Sequence, residues 1–405
     1  MISQDEYNKR RNTLYAACDD LIFLQSPKPV VVNADETTYT QNSYIYYLTG
    51  ISEPITVLLD CHNHKMIVFF SELSKDERIW SNQLLSKELL IDFFGADEVY
   101  DLKTVDSYVQ KKTLKSIPLC CGDKTECIDM NILRLLVDMR MIKSESEIAL
   151  IEQAQSISKK IVETLSVDSA QSELDVRKQI DIAYIQQDVT HAFTPIVTIK
   201  GNILHNTVSK NTISEHDCVL IDTGCKKHNY CSDITRCLSK SSFRKKQQSI
   251  YDIVFHAKQK ALSLMTPQTP FREVRDAVHT YILLELQRIG MLKGNLDDLI
   301  NKNIIRYFLA HSITHSIGLD VHDCADAPEI VSTDKDTQFQ KGVGFQRTLQ
   351  ENMVLTIEPG IYFFDEYEDL ITFVQKDVYL AYAKEVSGIR LEDICVVTKT
   401  GARVL

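Results

Sequence analysis

Residues 218–238 decide the fold, and they read CVLIDTGCKKHNYCSDITRCL, two β-prone runs joined by the polar residues 226–229. This pattern is typical of a β-hairpin. Asp222 lies within the first run, and Asp233 stands eleven positions later, beside the second. A carboxylate on a buried strand costs several kcal/mol unless a cation or a fixed donor compensates it, which leaves two explanations open. Either both acids face one point and share a cation, or one pairs with Arg236 while the other caps a turn.

Histidines are concentrated in a second segment. Residues 310–323 read AHSITHSIGLDVHD and hold three of the eleven histidines of the chain, His311, His315 and His322. A lone histidine is usually a structural residue. Three histidines within twelve positions, with a glycine that allows close backbone approach, favour a functional site instead.

Two further acids stand near the carboxyl end of the chain. Glu358 ends the apolar run 353–357 and is followed by a Pro-Gly bend. In residues 388–394, which read GIRLEDI, strand alternation turns Arg390 and Glu392 to one face. Taken singly, each acid is more often solvated or salt-bridged than functional.

Together these segments supply four carboxylates and one imidazole: Asp222, Asp233, His315, Glu358 and Glu392. Four clustered carboxylates without counter-charge repel each other and raise their own pKa values. Two divalent cations would balance these charges and acidify a water that they share, as in a two-metal hydrolase. The ligand types favour Mn²⁺ over a thiolate-bound metal and leave Zn²⁺, Co²⁺ and Fe²⁺ open.

The composition limits the class of protein. A length of 405 residues predicts two or three folding units, and a net charge of −11 argues against a general nucleic-acid binder. No run approaches the ~20 apolar residues that cross a bilayer, and the acidic residues 1–6 lack the apolar core of a secretory signal. The expectation is a cytoplasmic protein with no nucleic-acid or membrane partner.

The cysteines point in the same direction. Their number, eleven, is odd, and none forms a Cys-x-x-Cys pair. The four between 218 and 237 are spaced by 7, 6 and 6 positions, too far apart for a zinc knuckle. Buried free thiols in a reducing compartment are the better explanation.

The chain is predicted to divide near residue 142. The first part, 1–141, mixes strands and helices, with a hairpin over 55–70, one or two helices within 75–94 and another over 129–141. The second part, 142–405, is predicted as α+β, with antiparallel strands and helices packed on one side. Its expected helices begin at Ser144 and at Ser172, span about 248–265 and run from Pro270 to Gly290, and its expected strands cover 196–200, 219–223, 353–358 and 390–397.

The motifs LIDTG, YCSDITR, HSITHSIGLDVHD, TIEPGIY and GIRLED resemble, in this order, those of the pita-bread dinuclear metallopeptidases. Within these the sequence is most similar to the Xaa-Pro aminopeptidases, the aminopeptidase P family. The resemblance covers nearly the whole chain, and residues 35–50 and 77–80 look like that family's smaller N-terminal domain. It implies a pita-bread (creatinase/aminopeptidase) catalytic domain at 142–405, preceded by a creatinase-like α/β domain at 1–141.

The resemblance also implies roles for the acids. Asp222 would bind one metal through both oxygens, and Asp233 and Glu392 would bridge the two metals. His315 and Glu358 would complete the shell of the second metal. Glu358 would in addition take the proton of the attacking water, a hydroxide bridging both ions.

Other positions correspond to substrate-side residues of that family. His205 and His322 match the two histidines that contact the substrate and steady the tetrahedral intermediate. His311, Tyr362 and Arg390 match positions beside the metals or facing the substrate. Ser316 stands where relatives often have an aromatic residue, which would loosen the pocket wall.

The implied substrates are peptides with proline at the second position. A prolidase, which cleaves only Xaa-Pro dipeptides, is the alternative on the same scaffold, and a non-catalytic peptide-binding relative is a third hypothesis. The family further implies a homodimer or homotetramer, in which the N-terminal domain helps to close a neighbour's active site. Trp80, the only tryptophan, is a candidate to reach that site, and a partly buried core aromatic is the alternative.

Overall fold

The computed structural model describes residues 2–28, 31–32, 35–36, 39–80, 84–110, 112–116, 129–324, 347–364 and 372–405. They form two compact units, Met1–Arg140 and Met141–Leu405. Within the described part of the chain, no helix combines the length and apolar character needed to cross a membrane.

The first unit is built on a five-stranded sheet in the order β6-β5-β4-β1-β7. Neighbours β1 and β4 are antiparallel, as are β4 and β5, whereas β1–β7 and β5–β6 are parallel. The elements are α1 (Gln4–Ala17), β1 (Leu21–Gln25), β2 (Val31–Val32), β3 (Asp35–Glu36), α2 (Ser43–Thr49), β4 (Thr56–Asp60), β5 (Lys65–Phe70), α3 (Lys87–Asp92), β6 (Glu98–Asp101), α4 (Val105–Val109), β7 (Leu114–Ser116) and α5 (Met130–Met141).

The predicted hairpin over 55–70 is confirmed as β4 and β5. Both strands are apolar along most of their length and almost wholly buried. The prediction for residues 75–94 is only partly correct, since the described residues there form a 3₁₀ turn, Glu77–Ile79, and the short α3. Ile79 and Trp80 are exposed, so they supply no buried apolar face that would stabilise a longer helix around the 3₁₀ turn.

In the second unit, short antiparallel strands form three three-stranded sheets, β13-β10-β9, β12-β11-β8 and β14-β17-β18, and the pair β15-β16. Helices α6 and α7 pack on strands of the first two sheets, and α8 and α9 pack in a second apolar core beside β14 and β17. The elements are α6 (Glu145–Thr164), α7 (Glu173–Gln186), β8 (Thr190–His191), β9 (Ile196–Thr198), β10 (Val219–Thr223), β11 (Cys225–Lys227), β12 (Tyr230–Cys231), β13 (Ile234–Leu238), α8 (Lys245–Leu264), α9 (Phe271–Arg288), α10 (Leu296–Asn301), β14 (Val354–Ile357), β15 (Gly360–Tyr362), α11 (Lys376–Ala383), β16 (Gly388–Arg390), β17 (Asp393–Thr398) and β18 (Gly401–Val404).

Helices α6 and α7 begin where their predicted capping residues stand. Ser144 caps α6 and forms a reciprocal capping box with Glu147, and Ser172 does the same for α7 with Asp175. At the end of α9, Gly290 has a φ of +76°, a left-handed conformation that glycine adopts without a side-chain clash.

One predicted strand is wrong in its extent. Residues 390–397 do not form one strand, because β16 pairs with β15 whereas β17 pairs with β14. Leu391 and Glu392 lie in the break, where the N–H of Glu392 donates to the carbonyl of Thr235 at 3.1 Å. At this break the chain passes from the β15-β16 pair to the β14-β17-β18 sheet, and Glu392 lies at the crossing.

Candidate metal centre

The hairpin at 218–238 brings the first two acids together. Strands β10 and β13 are antiparallel, with Asp222 opposite Thr235, and Asp233 immediately precedes β13. A Cβ on Gly224 would lie 1.9 Å from the carbonyl oxygen of Ser232. Only glycine therefore fits where these two backbone segments approach each other. Asp222 and Asp233 both line one cavity of about 630 Å³.

The remaining acids and the histidine reach the same cavity from other elements. His315 Nε2 lies 3.5 Å from Asp233 Oδ2, 3.7 Å from Glu358 Oε1 and 3.9 Å from Glu392 Oε1. One ligand atom from each of Asp233, His315 and Glu392 lies within 4.8 Å of the others, and all three residues are buried. Side chains far apart in sequence thus converge on one point.

The acids repel each other in this buried position. Burial, followed by the charges of Asp222 and Glu358, raises the pKa of Asp233 well above its usual range. Burial, followed by the charges of Asp233 and Asp222, likewise raises the pKa of Glu392. Burial and the charge of Glu392 raise the pKa of Glu358 to about 8. The cluster therefore needs added positive charge to stay ionised.

Three buried carboxylate oxygens fit a cation site. Asp222 Oδ1, Asp233 Oδ1 and Glu392 Oε1 have no hydrogen-bond partner among the described residues. A buried oxygen left without a partner costs about 1–3 kcal/mol, and a metal ion satisfies such an oxygen. Carboxylate oxygens together with one imidazole suit a divalent cation of the Mn²⁺ or Zn²⁺ type.

The histidine has the tautomer that a metal ligand needs. His315 Nδ1 lies 3.1 Å from the carbonyl oxygen of Ser316. A carbonyl can only accept a hydrogen bond, so Nδ1 carries the proton and the lone pair of Nε2 faces the acids.

The alternative explanation of the two aspartates, a pairing with Arg236, is wrong. The guanidinium of Arg236 pairs with Asp393 at 2.5 Å and also donates to the carbonyl of Glu392. Asp222 pairs instead with Arg390, whose Nη2 donates to Asp222 Oδ2 at 2.6 Å.

Four of the predicted substrate-side residues line the cavity: His205, His311, His322 and Arg390. Tyr362 is fully buried behind two of them, and among the described residues the cavity wall does not include it. Because His311 Nδ1 donates to the carbonyl of Ser312, its Nε2 accepts the hydroxyl proton of Tyr362 at 2.6 Å. Burial lowers the pKa of His311 to about 3, so this ring is neutral near pH 7.

Sequence reasoning missed the apolar part of the wall, which includes Phe193, Leu204 and Val321. None of these residues belongs to a helix or strand of the described chain, and no periodic pattern marks them. Only the folded chain shows that they face the acids.

Two expectations about single residues need correction. Ser316 is fully buried and donates to the carbonyl of Asp323 at 3.1 Å, and it is not among the described residues of the cavity wall, so it does not loosen that wall. Trp80 is 88% exposed, so the alternative of a partly buried core aromatic is wrong. Its contact with a neighbouring subunit stays a prediction.

Comparison with protein families identifies the chain. Residues 149–399 match metallopeptidase family M24, and residues 7–117 match the aminopeptidase P N-terminal domain. The chain belongs to metallopeptidase family M24. Membership in this metallopeptidase family makes it a hydrolase, and the predicted pita-bread catalytic domain, preceded in the sequence by a smaller N-terminal domain, is confirmed.

The M24 relatives cover the whole chain. The Xaa-Pro aminopeptidase of Haemophilus influenzae is 28% identical, over 100% of this chain and 94% of that protein, and the Xaa-Pro aminopeptidase of Escherichia coli K12 is 28% identical, over 99% and 94%. The solved structure of E. coli aminopeptidase P with the inhibitor Pro-Leu superimposes with a TM-score of 0.84 at 26% identity, covering 100% of this chain and 94% of that one. A zinc-substituted form of the E. coli enzyme in complex with product gives 0.82 at 25% identity.

Proposed function

We propose that this M24 protein is an Xaa-Pro aminopeptidase, which removes the N-terminal residue from peptides with proline in second place. The observation that carries the proposal is a buried acid cluster in the wall of a cavity that histidines also line, with three carboxylate oxygens that have no hydrogen-bond partner in the described part of the chain. The curated relatives of the same name, which align over nearly their full length, support it.

Asp222, Asp233, His315, Glu358 and Glu392 would hold two divalent cations, with Mn²⁺ the first choice and Zn²⁺, Co²⁺ or Fe²⁺ the alternatives. Bound cations supply Lewis acidity toward the scissile carbonyl and lower the pKa of a water. Their four positive charges balance the four carboxylates, which explains how these side chains can be buried together.

Glu358 is the proposed proton carrier. Its side chain is buried in the cavity wall, and its Oε1 lies 3.7 Å from Nε2 of His315, next to the other proposed metal ligands. A carboxylate in this position takes up a proton at an oxygen and passes it to the leaving prolyl nitrogen.

Two histidines are the proposed donors to the substrate. His322 lines the cavity beside His315, with ring centres 4.2 Å apart, and a neutral imidazole can donate its N–H to a substrate oxygen. His205 lines the same cavity. His311 also lies in the wall, but its N–H is donated to the carbonyl of Ser312, so we assign it the role of holding the Tyr362 hydroxyl. Donors placed in this way favour the negative charge that develops on the substrate carbonyl oxygen.

The apolar wall explains why proline is accepted. A prolyl nitrogen carries no hydrogen and cannot donate to a backbone acceptor. Recognition must therefore depend on the shape of the ring, and Phe193, Leu204 and Val321 supply an apolar surface for it. We assign specificity for proline to this surface.

A panel of proline peptides tests the proposal against prolidase. We expect hydrolysis of Xaa-Pro-Yaa tripeptides and longer peptides in the presence of Mn²⁺, with release of the first residue. A matched Xaa-Ala-Yaa panel serves as the control and should react far more slowly. Cleavage of Xaa-Pro dipeptides alone would assign the chain to the prolidases, and no turnover with any metal would favour a peptide-binding relative.

We further propose domains at 1–141 and 142–405, a homodimer or homotetramer in which Trp80 reaches a neighbouring active site, and a cytoplasmic location. The exposure of Trp80 supports the second of these. The molar mass in solution of the wild type and of Trp80→Ala, compared with the kcat/KM of each, tests it.

A further inference from the structure

Two cysteines of the N-terminal unit lie in contact. Cys18 follows the last residue of α1, and Cys61 follows the last residue of β4. Their sulfur atoms are 3.1 Å apart, although 43 positions separate them in sequence. None of the chemistry proposed for the metal centre uses this pair.

The backbone holds the pair in place. Strand β1 pairs with β4 from Leu21 opposite Asp60, and the N–H of Cys61 donates to the carbonyl of Asp20 at 3.1 Å, which extends the ladder by one position. Cys18 is two residues before that position, and its thiol also lies 3.3 Å from the carbonyl oxygen of Leu14. A disulfide has sulfur atoms about 2.05 Å apart, so the two thiols are about 1 Å from bonding distance.

The two thiols differ in access to solvent. Cys18 is half-buried, so a small reagent can reach it. Cys61 is only 1% exposed and lies behind it. Burial, followed by the contact with Cys18, raises the pKa of the Cys61 thiol, which makes Cys61 a poor first nucleophile.

We propose that Cys18 and Cys61 are a redox pair that closes reversibly to a disulfide when Cys18 reacts with a low-molecular-weight disulfide. The Cys18 thiolate attacks one sulfur of the reagent, forms a mixed disulfide and releases one thiol. The Cys61 sulfur then loses its proton and attacks the Cys18 sulfur, which releases the second thiol. In sum, two protein thiols are oxidised to one disulfide, and one reagent disulfide is reduced to two thiols.

Charged groups of both signs surround the pair. Asp19, Asp20 and Asp60 lie close by, but His62 pairs with Asp19 at 2.8 Å, and the charges of Lys112 and Lys115 act on Asp60 and Asp20. A neutral disulfide reagent therefore gives the simplest test, because its rate does not depend on these charges. The disulfide of mercaptoethanol is the neutral probe.

The experiment treats the full-length native protein with this probe, blocks the remaining thiols in denaturant and maps the peptides by mass spectrometry. We expect a peptide cross-linked through Cys18 and Cys61, with no probe retained at either position. Cys61→Ser should stop at the first stage, with one probe molecule on Cys18, and Cys18→Ser should leave Cys61 unmodified. Cys61→Ala repeats the test if the serine variant fails to fold.

A second thiol pair in the same molecule is the matched control. Cys218 and Cys237 are hydrogen-bonded to each other, but both are buried, so the probe should not oxidise them. The disulfide should also raise the unfolding temperature of the wild type and not of Cys61→Ser, because it closes a loop of about 40 residues. Wild-type protein that keeps the probe on Cys18, or that remains fully reduced, overturns the proposal.

Discussion

Arg390 connects the polar groups of the metal centre at the scale of single residues. Its Nη2 donates to Asp222 Oδ2 at 2.6 Å, and its Nε donates to Thr235 Oγ1 at 3.3 Å. Thr235 in turn donates to Glu392 Oε2 at 2.8 Å. Asp222 and Glu392 thus each have one oxygen fixed by a donor, while the other has no partner within the described chain. That arrangement orients both acids before a cation arrives.

Thr235→Val removes the hydroxyl that fixes Glu392 and keeps the shape of the side chain. We expect Mn²⁺ affinity to fall by roughly tenfold or more, as for other partners of metal ligands. Isothermal titration calorimetry measures the change. Thr235→Ser retains the hydroxyl and is the control, and equal affinity of the valine variant and the wild type would contradict the orienting role.

His279 on α9 predicts how stability responds to acid. Burial, followed by the charge of Arg275, lowers its pKa to about 4, whereas the unfolded chain has the usual value near 6.5. Between pH 6.5 and 4, His279 is therefore protonated in the unfolded state but not in the folded state. The free energy of unfolding falls as the pH falls through this range. Because His279 is half-buried, about 1–2 kcal/mol is the expected size of this loss.

Replacing His279 with Gln should remove that part of the pH dependence. Urea unfolding of both proteins at several pH values measures it, and the two curves should differ most in slope between pH 6.5 and 4. His256→Gln, on the exposed side of α8, is the control. Parallel curves for His279→Gln and the wild type would show that this ring does not titrate as described.

At the scale of structural elements, hydrogen bonds and a buried ion pair fix the two ends of the loop that contains His315 and His322. The N–H of Asp323 donates to the carbonyl of Ser316 at 2.9 Å, and the Ser316 hydroxyl donates back to the carbonyl of Asp323. Lys143, just before α6, pairs with Asp323 at 3.2 Å, and both side chains are fully buried. This ion pair fixes the base of a loop that presents two histidines, whose ring centres lie 4.2 Å apart.

Lys143→Met should lower the free energy of unfolding. It removes the Lys143 ammonium from its ion pair with the buried Asp323, and the loss of one partner of a buried pair costs about 3–5 kcal/mol. We expect this drop in the free energy of unfolding, together with a lower kcat/KM. The double variant Lys143→Met, Asp323→Asn removes the charge as well and should be more stable than the single variant, and equal stability of the two would contradict the interpretation.

At the scale of the whole molecule, a cation would connect separate parts of the second unit. Its proposed ligands lie on separate elements: Asp222 on β10, Asp233 just before β13, His315 in a loop, Glu358 just after β14 and Glu392 between β16 and β17. A ligand that binds only the folded state stabilises it by about 2.7 kcal/mol at a hundredfold excess over its Kd.

Removal of metal should therefore lower the unfolding temperature, and added Mn²⁺ should restore it. Asp233→Asn should lose activity and this response together. Without metal it should be more stable than the wild type, because the neutral amide avoids both the charge burial and repulsion that raise the pKa of Asp233 and the proton uptake that relieves them. Thermal unfolding with and without a chelator measures the changes in stability, and hydrolysis of an Xaa-Pro-Yaa peptide measures the loss of activity. A metal response retained by Asp233→Asn would show that this side chain is not a ligand.

Much of the fold could be read from local patterns. The capping boxes at Ser144 and Ser172 indicated where two helices begin, and pairs of β-prone runs joined by polar turns, over 55–70 and 218–238, indicated two hairpins. Such signals lie within a few residues of the structure that they specify. The strand over 390–397 failed because pairing partners elsewhere in the chain divide it, and no local signal at Leu391 reports them.

By itself the sequence determined which residue types were available for the centre, four acids and a histidine, because their motifs are local. Only the tertiary structure decided which oxygens stay free for a cation. That choice depends on donors such as Arg390, which lies 168 positions from the Asp222 that it holds. The tertiary structure also pairs Arg236 with Asp393, buries Tyr362 behind the cavity wall and brings Phe193 into that wall. These are contacts between distant segments, and their energies exist only once the chain has packed.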